Sequence, residues 1–460
     1  MTNISSYNQS GYGSISGLST GISGYFANNK IAKRYYYKVY SQSGTYIKTW
    51  STDVVSYPSF RTVLNGGSGE LEVKLARRYD NFGEGDDVKL MNKVELWVAD
   101  ADNLTNNTAQ VLFDTSIWDV DSWDAPIYSY RKIYTGYISA YSPMVDDEEQ
   151  YVKVTLLGYA TQASFKIIKD QSGNTQFTLT AVDPAVALKT IINYYRADGN
   201  YDIDYTGTSI QLVGTSITYT FNEMTLQEAI DKIVEMTPYN YYWFIDANGI
   251  VNLKRLSASA DHEIKIGKDI SYLESNRRAE NITNVVYVVG GGSPNLYNKY
   301  SRTASINTYG KFERKIQDGN VTDNTTADAM AKRYLDTFQE PETRAIIKIV
   351  DNNGIDSRKG VDIESYQVGD TIQIKNLNYG SKGLTLWDVG QWDVDVWDNT
   401  FQYTLASVLT IVSLTYNMSY IEVEVSSRLP EVTKRVEQIG KSLDQQIQEG
   451  IPVTPSVRSV

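Results

Sequence analysis

The chain has no cysteine and one histidine, His262, among its 460 residues. The first absence excludes disulfides, thiolate metal sites and cysteine nucleophiles, so folding needs no oxidising compartment. The second leaves no partner imidazole to relay a proton or share a metal. His262 lies in Ala-Asp-His-Glu-Ile before a strand and reads as a solvated loop side chain, and no Gly-x-Ser-x-Gly elbow surrounds any serine. Long apolar runs are missing too: no stretch approaches the roughly 18 residues that span a bilayer, and the N-terminus shows neither the basic region nor the apolar core of a signal. These absences predict no membrane anchor and assembly in the cytoplasm. A formal charge of −12 disfavours specific binding to free nucleic acid, whose phosphates are held by clustered Lys and Arg.

What the chain does contain is a body of ordinary globular composition, 41% apolar and 21% charged, with 36 tyrosines. Tyrosine favours strands, and the length suggests roughly three domains. Residues 1–32 are rich in Gly, Ser, Asn and Tyr and lack the aliphatic side chains of a core, which makes them a linker or an arm ordered along a neighbouring subunit. Residues 33–174 carry short alternating strands, such as Leu71, Val73 and Leu75, Val94, Leu96 and Val98, and Val152, Val154 and Leu156. Asn65-Gly66-Gly67 and Phe82-Gly-Glu-Gly85 supply turns that tolerate positive φ. This is the first β domain.

Residues 175–260 read as α/β. Asp183 before Pro184 predicts an N-cap with proline at the first helical position, and Gly199 a stop. Thr225-Leu-Gln-Glu228 is a capping box followed by the stripe Leu226, Ala229, Ile230, Ile233 and Val234, ended by Pro238. Tyr241 to Ile245, Asp246-Ala-Asn-Gly249 and Ile250 to Lys254 predict a hairpin. Over 261–430 the β pattern returns around a polar stretch and a helix predicted at 326–339, with Met330, Ala331, Tyr334, Leu335 and Phe338 on one face. Residues 431–460 form a short heptad run, Val432, Val436, Ile439 and Leu443, either a coiled-coil seam on a symmetry axis or a helix lying on its own domain. The fold class is thus α+β, mainly β, with two tube-like β-barrel domains flanking an α/β domain and a C-terminal coiled-coil helix.

Two segments repeat. Trp118, Asp119, Trp123 and Asp124 in the first β domain match Trp387, Asp388, Trp392, Asp393, Trp397 and Asp398 in the second, with tryptophan every five residues. That period fits neither helix nor strand, so these read as turned loops with packed indoles and capping aspartates, by duplication or convergence. Their aspartates lack the EF-hand frame needed for Ca²⁺. Asp146-Asp-Glu-Glu149 reads as a solvated turn, and Gly290-Gly-Gly292 precedes no helix N-terminus that would cradle phosphate. No catalytic residue, cofactor or metal ligand is assigned. A glycosidase using only two carboxylates stays open as an enzyme alternative.

In their order, Leu64-Asn-Gly-Gly-Ser-Gly-Glu-Leu71, Tyr134-Thr-Gly-Tyr-Ile138 with Val152 to Tyr159, the Leu226 to Lys254 helix-hairpin, Asn281-Ile-Thr-Asn-Val-Val-Tyr-Val-Val-Gly290 and Val368-Gly-Asp-Thr-Ile-Gln-Ile374 make the chain resemble phage tail tip and baseplate hub proteins, including the N-terminal structural part of tail-associated lysin-type proteins. The resemblance covers about residues 50 to 430. It implies a virion homotrimer whose six β-barrels adapt a six-fold tail tube to a three-fold tip. The implied neighbours are the tail tube or distal tail protein, the tape measure protein and a tail fibre or spike, with DNA as transient cargo in the lumen. The chain departs from the lysin-type pattern by stopping after the heptad run without a hydrolase. A glycan-binding tail-fibre or adhesin protein is the alternative, with Tyr and Trp loops as sugar-stacking platforms.

Overall fold

The computed structural model describes residues 33–51, 53–76, 86–100, 130–145, 150–199, 202–265, 269–279, 281–292, 296–351, 361–375 and 408–430. The arm, both Trp-Asp segments, the heptad run, Phe82-Gly-Glu-Gly85 and Asp146-Asp-Glu-Glu149 lie outside them.

The fold is mainly β, as composition and alternation predict. The first β region holds β1 (Lys33–Tyr40), β2 (Tyr46–Trp50), β3 (Ser59–Val63), β4 (Gly66–Leu75), β5 (Lys93–Asp100), β6 (Arg131–Val145) and β7 (Gln150–Gly158). The α/β region holds α1 (Tyr159–Gln162), β8 (Gln176–Val182), α2 (Pro184–Ala197), β9 (Ile217–Asn222), α3 (Leu226–Glu235), β10 (Tyr241–Ile245) and β11 (Val251–Arg255). There follow β12 (His262–Lys265), β13 (Ile270–Arg278), β14 (Val285–Gly290), β15 (Tyr297–Ser301), α4 (Thr303–Tyr309), β16 (Glu313–Asp318), α5 (Asn324–Phe338), β17 (Glu342–Val350), β18 (Thr371–Lys375), β19 (Leu409–Asn417) and β20 (Tyr420–Ser426).

The local signals hold. Asp183 accepts a hydrogen bond from Ala185 N at 2.8 Å and also holds Gly214 N at 2.7 Å, so one carboxylate caps α2 and pins the loop returning to it. Both arms of the Thr225/Glu228 capping box form on α3. In the β10–β11 turn, Asp246 accepts from Asn248 N and Ile250 N and Gly249 takes φ +77°. The third helix starts two residues earlier than predicted, because Asp323 caps it through Thr326 N.

The strands associate differently from two separate barrels. The main path runs β13-β17-β20-β19-β3-β4-β7-β6-β5-β1-β2, an open antiparallel sheet in which β3 pairs β19 from Val63↔Ser413 to Ser59↔Asn417. Both β regions therefore share a single ladder, and one core contains Tyr37, Leu71 and Val154 from the first with Ile347, Val423 and Val425 from the second. A second core joins α2, α3 and β9 to Val286 and Val288 of β14 and Ala327, Met330 and Leu335 of α5. Within the polar stretch after β14, β15 and β16 flank β14, the latter in parallel, and α4 follows β15 in sequence. Its alternation is muted because β15 and β16 have no fully buried residue.

Candidate functional site

The two cores meet at β10, whose five residues Tyr-Tyr-Trp-Phe-Ile are all buried. Tyr242 and Phe244 enter the core of the large sheet, while Tyr241, Trp243 and Ile245 enter the α/β core. Strand periodicity puts alternate side chains on opposite faces, so an unbroken apolar strand buried on both sides is a partition between two bodies. Leu64 and Asn65, between β3 and β4, tie this partition to both β regions. Leu64 N donates to Val412 O of β19 at 3.0 Å, and Asn65 N donates to Trp243 O of β10 at 2.9 Å.

The neighbouring glycines serve this junction in a way the sequence reading did not give them. Only Asn65 has positive φ, at 56°, and Gly66 and Gly67 belong to β4, paired in parallel with Phe244 and Ile245. A Cβ on Gly67 would lie 2.9 Å from Ile245 O, so glycine here admits the close approach of β10. Gly290 and Gly291 similarly admit the carbonyls of Val321 and Gly319, which a Cβ would meet at 2.3 and 2.1 Å.

Two buried polar groups lock the α/β side. Arg333 of α5 reaches the end of α3 and the start of β10, donating to Thr237 Oγ1 at 2.9 Å, Pro238 O at 2.7 Å and Tyr241 O at 3.1 Å. Burial pushes its guanidinium down to about 10, so it stays charged at neutral pH, and it uses that charge on carbonyls. Asp231 of α3 accepts from Trp243 Nε1 at 2.9 Å. Burial pushes its carboxyl well above the usual carboxylate range, against the lowering effect of the indole bond. Beside it, Lys232 bonds Glu235 at 3.0 Å and Asp318 at 3.4 Å, and these carboxylates hold its ammonium above the ordinary value although burial opposes its charge.

The large sheet turns one face to its core and the other to a charged surface. On that second face Arg61 of β3 meets Glu424 of β20 at 3.3 Å and Ser413 Oγ at 2.6 Å, and Arg344 of β17 meets Glu424 at 3.4 Å. Farther along, Lys153 of β7 pairs with Glu72 of β4 at 2.6 Å. Among the described residues, oppositely charged groups thus meet on this face in both β regions. Near the β2 end the face changes to rings: Tyr36 stacks on Trp97 at 6.3 Å between centroids, Tyr130 meets Tyr36 at 4.7 Å, and Lys38 Nζ lies 4.8 Å from the Trp97 ring.

His262 corrects the expectation of a solvated loop residue. It opens β12, its Nε2 is 2.9 Å from Asp370 Oδ2, and its ring stacks on Tyr366 at 3.9 Å. The parallel β12–β18 ladder, invisible to local patterning, places it there. The Trp-Asp and seam residues lie outside the described residues. Among the described residues, no group of three His, Asp or Glu is placed to hold a metal, and no helix is long and apolar enough to cross a membrane.

No known sequence family and no curated protein matches the chain. Solved structures do. The prophage tail protein gp18 of Listeria monocytogenes EGD-e is 11% identical, with a TM-score of 0.50 over 89% of this chain and 99% of its own. The 43 kDa tail protein of prophage MuSo2 from Shewanella oneidensis is 11% identical, with a TM-score of 0.51 over 87% of this chain and 99% of its own. A tail protein from Neisseria meningitidis MC58, also 11% identical, gives 0.52 over 86% and 97%. At such low identity the likeness is one of fold, and it spans nearly the whole length of each of the three: the chain has the fold of phage tail proteins.

Proposed function

We propose that this chain is a structural protein of a phage tail tip or baseplate, working as a homotrimeric hub that adapts a six-fold tail tube to a three-fold tip and leaves a channel for DNA. The observation that carries this reading is the β3–β19 ladder, which welds two β regions far apart in sequence into a single wall with one apolar and one mixed-charge face. A wall of two β units per chain is what a trimer needs to present six. Ion pairs such as Arg61–Glu424 and Lys153–Glu72 neutralise the polar face, which suits a lumen through which phosphates slide without being retained. The α/β body, attached through β10, would then face neighbours in the tail: the tube or distal tail protein, the tape measure protein or a fibre. The protein would act in the virion after assembly in the host cytoplasm, without enzymatic activity or cofactor. The domain limits proposed are those read from the sequence, with 431–460 as the axial helix and the Trp-Asp loops as packing elements.

Light scattering with negative-stain class averages tests this. A three-fold ring with a central channel is expected, and replacing Val436 and Leu443 together with Asp should release monomers. A monomeric or rod-shaped wild type would overturn the hub. The alternative, a glycan-binding adhesin, has one observation in its favour, the ring platform of Tyr36, Trp97 and Tyr130 flanked by Lys38. Glycan-array binding lost in Trp97→Ala would favour it.

A further inference from the structure

We infer that the outer face of the small sheet β15-β14-β16 is a docking platform for a second copy of the chain, and that it receives the exposed Phe165 loop of that copy. This rests on the trimer proposed above and names the surfaces that would join its chains.

Alternation assigns the platform. Val286 and Val288 of β14 enter the α/β core, with Tyr300 of β15 and Ile316 of β16 packed against it, so their neighbours along each strand face outward. In the paired registers Tyr287 sits between Lys299 and Lys315, and Val289 between Tyr297 and Gln317. The Tyr287 and Tyr297 rings are 6.1 Å apart, and Lys299 Nζ is 5.6 Å from the Tyr287 centroid. Tyr297 is 64% exposed, the highest value of any described tyrosine. The local charge is opposite in sign to that of the whole chain. Over residues 281–317 Lys299, Arg302, Lys311, Arg314 and Lys315 stand against one carboxylate, Glu313, in a protein of net charge −12. Lys311 pairs with Glu313 at 2.6 Å, so Lys299 and Lys315 set the sign of the platform.

The complementary surface lies at the start of α3, in the α/β region, where nine carboxylates over residues 175–260 outnumber five Lys and Arg. The loop after α1 runs beside that helix start: Gln227 N donates to Ala163 O at 3.1 Å, Ile168 N donates to Met224 O at 2.9 Å, and Ile167 bridges to Thr225. Between those ties it presents Phe165 at 59% and Ile167 at 44% exposure. Glu223 and Glu228 flank them, both exposed, with Glu223 held at φ +51°. Lys166, in the same loop, carries an opposing charge. The two surfaces are distinct patches. Beneath the small sheet, α5 meets the start of β9 through Thr326 and Thr218 and the C-terminal end of α3 through Arg333 and Thr237, whereas Phe165 and Glu223 lie at the N-terminal end of α3.

Placed against a copy of itself, the platform would set lysine against lysine. Placed against the Phe165 loop, it meets an aromatic anchor with glutamates at the rim, where rings supply affinity and opposite charges supply specificity. A contact between two different patches is heterologous, and it closes into a ring when its rotation divides the circle. That is the symmetry of a trimer.

The test is the mass of full-length variants by light scattering, with circular dichroism as the check on folding. Phe165→Ser and K299E/K315E are each expected to fall from three chains to one at a concentration where the wild type is trimeric. Adding E223K to K299E/K315E should recover part of the trimer, because every contact then carries exchanged charges. A trimeric wild type whose mass survives both changes, or a loss that E223K does not reverse at all, would overturn the docking and leave the trimer standing. A monomeric wild type would bring down both.

Discussion

The large sheet and the α/β body are held together by different physics, and β10 belongs to both. The sheet is a backbone object. Its two halves meet through the β3–β19 ladder, its core is aliphatic and aromatic, and ion pairs such as Arg61–Glu424 sit on the far face where water screens them. The body is short of ladders and depends on particular buried side chains: Arg333 spanning α5, α3 and β10, and Asp231 against Trp243. A backbone ladder tolerates side-chain exchange, whereas a buried polar group leaves its partners unsatisfied when it goes. The sheet should thus absorb single polar substitutions that the body cannot.

Arg333→Met should break this contrast most severely. It keeps the aliphatic stem and strips donors from Thr237, Pro238 and Tyr241, for an expected loss of about 3 kcal/mol in urea unfolding. A loss below about 1 kcal/mol would show that the carbonyls find other donors. Asp231→Asn should act in the opposite direction and depend on pH. A carboxyl kept protonated in the folded chain but ionised in the unfolded chain above about pH 4 makes stability fall as pH rises from that value toward the raised folded pKa. Asparagine keeps the oxygen that accepts from Trp243 and removes that slope. The variant should melt higher than wild type at pH 8 and together with it near pH 3, and parallel melting curves across that range would refute the buried-acid account. The smallest effect should come from the sheet. Glu424→Gln removes a carboxylate shared by Arg61 and Arg344, whose side chains are 57% and 41% exposed, and should cost less than about 0.5 kcal/mol. A cost comparable to that of Arg333→Met would erase the distinction between the two regions.

Legibility followed the range of the interaction. Asp183 with Pro184, Thr225 with Glu228, and Asp246 with Gly249 act within a few residues, and the structure realises each as read. The polar stretch after β14 was unreadable because β15 and β16 bury no side chain fully, so alternation had little amplitude. His262 was misplaced because its environment comes from Tyr366 and Asp370, more than a hundred residues away.

By itself the sequence determined the β-rich class, the helix caps and stops, the hairpin turn and the lack of thiol chemistry, because each depends on residue type or on neighbours within one turn. Only the tertiary structure decided that the two β regions share one sheet, that β10 divides two cores, and that Gly67 is there to let a backbone pass. Those are outcomes of strand pairing between distant segments, where many registers satisfy the same local pattern and the joint burial of both partners selects one.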